Sequence, residues 1–88
     1  MKVIKKDGRI EEFDSGKILT SIVNASHDVK DATLNESDIK IIVNDIKNEL
    51  ASLRKDGSPT SSYEVIGVIS EILVKDGFTN VLREFLYK

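Results

Sequence analysis

The residues between 35 and 53 carry the most regular pattern in the chain, and that pattern predicts a helix with one apolar face. Asn35, with Asp38 three residues later, is typical of a helix start. The glycine and the single proline of "RKDGSP" then end the helix. A face of this kind has to pack against other elements, so it places a helical core at the centre of the fold. The apolar positions are Ile39, Ile42, Val43, Ile46, Leu50 and Leu53.

Three more helices are predicted around this one. The first follows Asp14 or Ser15 as N-cap, and a polar connection, "DVKDATLNES", separates it from the central helix. Ser61 and Glu64 stand three apart as a capping box that opens the third helix, which "KDG" closes. The last helix begins near Thr79. Their apolar positions are, in turn, Ile18, Leu19, Ile22, Val23 and Ala25; Tyr63, Ile66, Ile69, Ile72 and Leu73; and Val81, Leu82, Phe85 and Leu86.

The N-terminal residues predict a β-hairpin. The runs "KVIKK" and "RIEEF" are short and partly β-branched, and they flank Asp7-Gly8, a strong turn signal. A chain of 88 residues has room for one domain, which we take as 1–88. The predicted fold class is therefore α+β, with a small N-terminal hairpin or sheet that caps a bundle of about four helices.

Composition excludes several classes of function. The net charge is −2, from 13 basic and 15 acidic residues, which argues against direct nucleic-acid binding over a broad surface. The chain has no cysteine, so disulfides, zinc–thiolate sites and thiyl chemistry are excluded. No apolar run approaches the roughly 18–20 residues of a membrane span, and the first residues start no signal peptide. We expect a cytoplasmic protein with no membrane partner.

The chain offers no recognisable catalytic constellation. The sequence around His27, "NASHDV", holds no nucleophile for which the imidazole could act as a base, and one histidine cannot build a histidine-rich metal site. Glu11 and Glu12 lie on opposite faces of a strand, so they cannot work together as a general acid and base. The phosphate-binding fingerprints GxxxxGK[ST] and GxGxxG are absent. We expect no enzymatic activity and no metal held by the protein itself.

Lysines collect near the start of the first helix. Residues 1–17 hold five cations and four anions, a net +1, whereas the rest of the chain sums to −3. With Asp14 as N-cap, Lys17 lies in the first turn, where the helix dipole disfavours a cation by some tenths of a kcal/mol. Free N–H groups at that end attract anions, and Lys5 and Lys6 adjoin it on the hairpin. The cluster indicates either a phosphate site or a solvated lysine-rich rim, and these residues alone leave both open.

The stretch "VIKKDGRIEEFDSGKI" resembles the opening of the ATP-cone domain, an allosteric nucleotide-binding module of ribonucleotide reductases. The family pattern has an apolar pair, two basic residues, Asp-Gly, a carboxylate three positions beyond the glycine, and Lys-Ile in the first helix. A Thr-Ser pair then opens a later helix after a turn, as in "DGSPTSS" here. The resemblance covers the whole chain and implies a small sheet that caps four helices. The matching positions are Val3-Ile4, Lys5-Lys6, Asp7-Gly8, Glu11, Lys17-Ile18 and Thr60-Ser61.

The resemblance implies an adenine-nucleotide site. The ligand would be ATP or dATP, normally with Mg²⁺, and the family uses the difference between the two nucleotides to switch oligomeric state and activity. A carboxylate can accept the hydrogen of the exocyclic amine of adenine. The implied site residues are Lys5, Lys6, Lys17 and Thr60 for the phosphates, Glu11 and Asp14 for the adenine, and Val3, Ile4 and Ile18 for the base pocket.

The chain departs from the family pattern in two places. Some members have a histidine four residues after the threonine, where this chain has Glu64, a residue that the capping box explains and that would repel phosphates. The C-terminal "VLREFLYK" fits the pattern only loosely, and either Arg83 or Lys88 could reach a phosphate. Arg9 and Glu12 are expected to be ordinary solvated charges.

The resemblance also favours one of two hairpin registers. A two-residue turn at Asp7-Gly8 would place Lys5 and Glu11 on opposite faces of the hairpin. A three-residue loop that ends on Gly8 in the left-handed conformation, a G1 bulge, pairs Val3 with Glu11 instead. Lys5 and Glu11 then share a face and can touch one ligand. We therefore predict the bulged register.

The leading interpretation is a non-catalytic regulatory domain that binds ATP or dATP, of the ribonucleotide reductase type. Reductase chemistry needs a cysteine radical, so the chain can belong to such an enzyme but cannot be the enzyme. One alternative is the nucleotide-sensing part of a transcriptional repressor, a family in which a zinc ribbon normally precedes the cone. Another is a cone-fold interaction domain that has lost nucleotide binding. Besides the nucleotide, the expected partners are a reductase catalytic domain or another cone.

Overall fold

A hairpin at the N-terminus, joined by a short third strand between the second and third helices, forms a small sheet beside four helices, so the α+β class is confirmed. The computed structural model describes residues 1–27, 29 and 34–87. Half of the predicted polar connection between the first two helices (residues 28 and 30–33), and Lys88, lie outside the described residues. No described helix is long and apolar enough to cross a membrane. The elements are β1 (Lys2–Ile4), β2 (Ile10–Glu12), α1 (Ser15–His27), α2 (Glu36–Leu53), β3 (Thr60–Ser61), α3 (Ser62–Lys75) and α4 (Thr79–Leu86).

Strand β1 lies in the middle of a three-stranded sheet of order β2-β1-β3. It pairs with β2 in the antiparallel and with β3 in the parallel direction. The hairpin was predicted, whereas β3 was not. It consists of only two residues, too few to show the alternating pattern by which a strand is recognised in sequence.

The hairpin has the predicted bulged register. Val3 lies opposite Glu11, and the N–H of Lys5 donates to the carbonyl of Arg9 at 2.7 Å. The N–H of Gly8 donates to the Lys5 carbonyl at 2.9 Å, and its φ of +89° lies in the left-handed region that glycine enters without strain. Lys5 and Glu11 consequently share a face of the sheet.

The predicted N-termini of the first two helices are confirmed. Oδ1 of Asp14 accepts a hydrogen bond from the N–H of Gly16 at 2.9 Å, so Asp14 caps α1. In α2, Asn35 accepts from the N–H of Asp38, and the Asp38 carboxylate accepts in return from the N–H of Asn35. Both ends of this capping box satisfy N–H groups that the helix itself leaves open.

The core lies between the helices, and the apolar face of α2 forms its centre. Ile42, Ile46 and Leu50 are fully buried, as the pattern predicts. Leu53 is 52% exposed, because it is the last residue of α2 and extends beyond the packed turns. Leu19 is also exposed, one position away from the buried row of α1. The remaining core residues are Ile18, Ile22, Ala25, Val68, Ile69, Ile72, Leu73, Val81 and Leu82.

Replacing Gly67 with alanine should stabilise the protein. Gly67 lies exposed within α3, and a Cβ at this position would meet no atom within 4 Å. Alanine is favoured over glycine inside a helix by about 0.5–1 kcal/mol. For a domain of this size that raises the melting temperature by roughly 2–8 °C, which calorimetry measures.

Gly8→Ala is the matched control, because the same substitution at a φ of +89° strains the backbone. It should lower the melting temperature. A rise in Gly8→Ala, or a fall in Gly67→Ala, would contradict the explanation.

The carboxyl group of Asp76, after the end of α3, is a site of electrostatic strain. Its Oδ2 is buried and has no hydrogen-bond partner within the part of the chain that the structure describes. Burial raises the pKa of Asp76, and Asp45 on α2 raises it further, while Lys75 opposes the shift. The folded state therefore holds this proton more tightly than the unfolded state, and stability falls as pH rises through the unfolded pKa to the folded one.

Asp76→Asn should raise the melting temperature at pH 7 by a few degrees, because the amide removes the charge and can donate to Asp45. The gain should shrink as the pH is lowered, because the raised pKa of Asp76 makes its carboxylate take up a proton more readily in the folded state. In the control Asp56→Asn the effect should be opposite at pH 7, since hydrogen bonds from Ser58 lower the pKa of Asp56. Thermal unfolding of the three proteins from pH 4 to 8 provides the measurement, and a pH-independent gain for Asp76→Asn would refute the assignment.

Candidate functional site

A cavity of about 190 Å³ opens beside the sheet, at the N-terminal end of α1. Five of the nine predicted site residues line it: Val3, Lys5, Asp14, Lys17 and Ile18. Strand β1 supplies Val3 from its inner face, Lys5 directly follows the strand, and the start of α1 with its N-cap supplies the others. The site therefore depends on how the hairpin is placed against one helix end.

The other side of the cavity is apolar and was not predicted. Phe13 follows β2, Val65 and Ile66 lie on α3, and Phe85 lies on α4. The helical periodicity places Ile66 and Phe85 on apolar faces, but it cannot say which part of such a face borders a cavity rather than the core. Tertiary packing decides that, so the aromatic side chains were missed. Further lining residues are Glu12, Ser62 and Ile69.

Charged groups at the rim form a connected set. Nζ of Lys5 lies 3.8 Å from Oε2 of Glu11, and Nη1 of Arg9 lies 3.2 Å from Oε1 of the same carboxylate. Arg9 also binds Asp7 through Nε at 2.6 Å. Arg9 was predicted to be an ordinary solvated charge; its side chain is 67% exposed, and it also pairs with two of the hairpin carboxylates, Asp7 and Glu11.

Glu12, the other predicted solvated charge, also has specific contacts. It lines the cavity, and its carboxylate forms ion pairs with Lys2 and with the terminal amino group. Hydrogen bonding from Lys2 lowers the pKa of Glu12. The side chain is nevertheless 66% exposed, so it belongs to the outer edge of the site.

A second, basic depression adjoins the cavity. It measures about 280 Å³ and is lined by Lys5, Lys6, Asp7, Arg9 and Ser62. Lys5 and Ser62 line both spaces, so a ligand in the cavity can extend past them into the depression. The ammonium group of Lys6 lies 5.8 Å from the ring centroid of Tyr63, within cation–π range.

Lys17 lies in the first turn of α1, where its backbone N–H approaches the Asp14 carbonyl at 3.2 Å. Its side chain is not among the ion pairs formed by the described residues. A cation that a helix start disfavours, and that no carboxylate pairs, remains available for an anionic ligand.

Thr60 does not line either space. It is 1% exposed, and its hydroxyl donates to Oε1 of Glu64 at 2.7 Å. Arg54 donates to both oxygens of Glu64, through Nε at 2.8 Å and Nη2 at 2.7 Å. The Thr60 hydroxyl thus binds a carboxylate and does not face a space in which a phosphate could lie.

The capping box predicted at Ser61 is only half correct. The Ser61 hydroxyl accepts from the N–H of Glu64 at 3.1 Å, but the Glu64 side chain turns to Arg54 and Thr60 instead of back to Ser61. A bidentate guanidinium outcompetes a single backbone N–H for a carboxylate. These hydrogen bonds, from Arg54 first and Thr60 second, lower the pKa of Glu64.

Three predicted residues remain at the edge of the site. Ile4 lies on the outer face of the sheet opposite Ile10 and is 39% exposed, so it does not line the cavity. Glu11 and Lys6 lie at the rim. Of the two C-terminal candidates, Arg83 is exposed and borders neither space, and Lys88 lies outside the described residues.

The arrangement can hold a flat apolar group and an anionic tail at once. The cavity offers aliphatic and aromatic surface, with carboxylates at its edge, and the adjoining depression offers cations. No group of three or more potential metal ligands occurs among the described residues. The side chains around the two spaces can bind a ligand that combines these two parts.

Comparison with known proteins agrees with this geometry. The family model of the ATP cone domain matches residues 1–87. Transcriptional repressor NrdR of Anaplasma marginale is 34% identical over 73 residues, which cover 83% of this chain and 45% of the repressor. Transcriptional repressor NrdR of Caldicellulosiruptor saccharolyticus is 35% identical over 89 residues, which cover 94% of this chain and 55% of the repressor.

The chain thus spans about half the length of the curated relatives it matches. The family match, by contrast, extends over nearly every residue and includes the sheet and all four described helices, three of which line the cavity. The chain belongs to the ATP-cone family of nucleotide-binding regulatory domains.

Proposed function

We propose that this domain binds ATP or dATP in the cavity between β1 and α1 and acts as a non-catalytic nucleotide sensor. One observation carries the proposal: a cavity with apolar walls is bordered by two lysines and leads into a depression that holds two more cations. A purine ring fits the first environment and a polyphosphate fits the second.

In the proposed complex the adenine lies against Val3 and Ile18, and Phe85 closes the apolar wall. Asp14, which lines the cavity, and Glu11, which lies at its rim beside Lys5, accept from the exocyclic amine. Lys5 and Lys17 bind the phosphates nearest the ribose. Lys6 and Arg9, with the N-terminal turn of α3 at Ser62, receive the end of the tail.

Magnesium would enter with the nucleotide. Mg²⁺ is usually held by substrate phosphates together with one or two carboxylates and several waters. The described residues provide no cluster of three potential ligands, which fits an ion carried by the phosphates better than one held by the protein. The protein's own contribution is to neutralise phosphate charge with lysines.

Removal of both lysines that line the cavity tests the proposal. We expect micromolar or tighter binding of ATP or dATP by calorimetry, and a loss of about 100-fold or more in Lys5→Ala/Lys17→Ala, since each charge-assisted hydrogen bond contributes about 1.5–3 kcal/mol. Lys40→Ala/Lys47→Ala removes the same charge from the exposed surface of α2 and should bind like the unaltered protein.

Equal losses in the two double variants would mean that only overall charge attracts the nucleotide. No detectable binding by the unaltered protein, with Mg²⁺ present, would refute the sensor and favour a cone-fold interaction domain without a ligand.

A second candidate function places this sensor in a transcriptional repressor. The names of the similar proteins support that setting as an alternative to a ribonucleotide reductase. The domain itself carries a net charge of −2, so we propose that DNA contact belongs to another part of the assembly and that nucleotide occupancy controls it. A second cone is the partner that a nucleotide-dependent repressor of this kind requires.

The second candidate is tested by sedimentation of the protein with ATP and with dATP. Different oligomeric states with the two nucleotides would support a regulatory switch, and identical sedimentation in both would contradict it.

A further inference from the structure

Arg54, Glu64 and Thr60 form a side-chain link that no local sequence rule predicts. The guanidinium of Arg54 holds the Glu64 carboxylate through two hydrogen bonds, at 2.8 and 2.7 Å, and Thr60 donates to Oε1 at 2.7 Å. The two charged side chains are 33% and 25% exposed, and Thr60 is buried. All three groups are therefore partly or fully screened from water.

The link joins three elements that meet beside the nucleotide cavity. Arg54 is the C-cap of α2, and its backbone N–H donates to the carbonyl of Leu50 at 3.0 Å. Glu64 lies in the first turn of α3. Thr60 belongs to β3 and pairs with Val3, which lines the cavity. A rigid connection thus runs from the end of α2 to a wall of the site.

Strand β3 needs this support because its own pairing is minimal. It contributes two residues to the edge of the sheet, in register with Val3 and Ile4. Its preceding turn is closed locally by Asp56, which accepts from the N–H and the hydroxyl of Ser58. These contacts shape the turn. Two β3 side chains bind α3: the Ser61 hydroxyl accepts from the N–H of Glu64, and the Thr60 hydroxyl donates to the Glu64 carboxylate, which Arg54 holds in turn.

We propose that Glu64 is a positioning residue of the nucleotide site: held by Arg54, it fixes Thr60 and hence β3 against β1. The inference rests on the proposed nucleotide binding. It assigns Thr60 a role through Glu64 instead of as a phosphate ligand. It also makes the end of α2 sense the occupancy of the cavity, because two sites joined by one link influence each other reciprocally.

The link also explains how the Glu64 carboxylate is tolerated close to the proposed nucleotide site. An unpaired Glu64 would repel the nucleotide, whereas Arg54 neutralises it and occupies both of its oxygens. The preference of the carboxylate for its ionised form, seen in the lowered pKa of Glu64, follows from the same hydrogen bonds.

The first experiment measures the dissociation constant for ATP in Glu64→Gln and Arg54→Ala. We expect affinity to fall about 5- to 20-fold in each, the size of a typical coupling between sites. The matched controls are Glu71→Gln, on the exposed side of α3, and Lys55→Ala, an exposed cation next to Arg54. These should bind as the unaltered protein does, and losses equal to those of the link variants would refute the inference.

The second experiment separates positioning from direct contact. If Thr60 acts through Glu64, the double variant Thr60→Val/Glu64→Gln should lose no more affinity than the more strongly affected of the two single variants. Thr60→Ser, which keeps the hydroxyl, should bind normally. The exchanged pair Arg54→Glu/Glu64→Arg should recover part of the affinity that either single change loses. Additive losses from Thr60→Val and Glu64→Gln would show a phosphate ligand and overturn the proposal.

The third experiment needs no nucleotide. Amide hydrogen exchange of residues 60 and 61 should accelerate in Glu64→Gln while exchange in α4 stays unchanged. If the unaltered protein binds no nucleotide but Glu64→Gln still shows this faster exchange, the proposed function is refuted. The link would then support the structure of β3 and nothing more. Unchanged exchange of β3 in Glu64→Gln would overturn the positioning role whatever the nucleotide result.

Discussion

The candidate site depends on the pairing of β1 with a strand on each side. β1 supplies Val3 to the wall of the cavity and Lys5 to its edge, and the sheet that holds it is only three strands wide. On one side the loop at Gly8 sets the register that brings Glu11 beside Lys5. On the other side, β3 pairs with β1 as the edge strand of the sheet. A shift of one residue on the hairpin side would turn Glu11 away from the cavity, because neighbouring side chains alternate in direction.

Local rules predicted the parts of the fold that short stretches encode. The caps at Asp14 and Asn35, the apolar face of α2 and the hairpin turn each depend on residues within a few positions of one another. The bulged register was predicted for a different reason. It followed from requiring that Lys5 and Glu11 touch the same ligand, a functional constraint taken from the family resemblance.

The parts that were missed depend on distant contacts. Strand β3 exists because β1 offers it an edge, and its two residues carry no signal of their own. Phe85 faces the cavity because α4 packs beside α1, which helical periodicity cannot indicate. Glu64 is the clearest case: the capping-box rule counts three residues back to Ser61, whereas the side chain finds Arg54 ten residues away. Where a local and a nonlocal partner compete, the stronger charge-assisted pair prevails.

The small size of the domain makes it suitable as a sensor. A chain of 88 residues has a thin core, and its net stability is only a few kcal/mol to roughly 10 kcal/mol. A ligand at 100 times its dissociation constant adds about 2.7 kcal/mol to the folded state, a large share of that total. The cavity is built by β1, α1, α3 and α4 together, so this free energy is distributed over most of the elements. In the proposed complex the link at Glu64 connects the cavity to α2, the one described helix that does not line it, so the proposed sensor includes all four described helices.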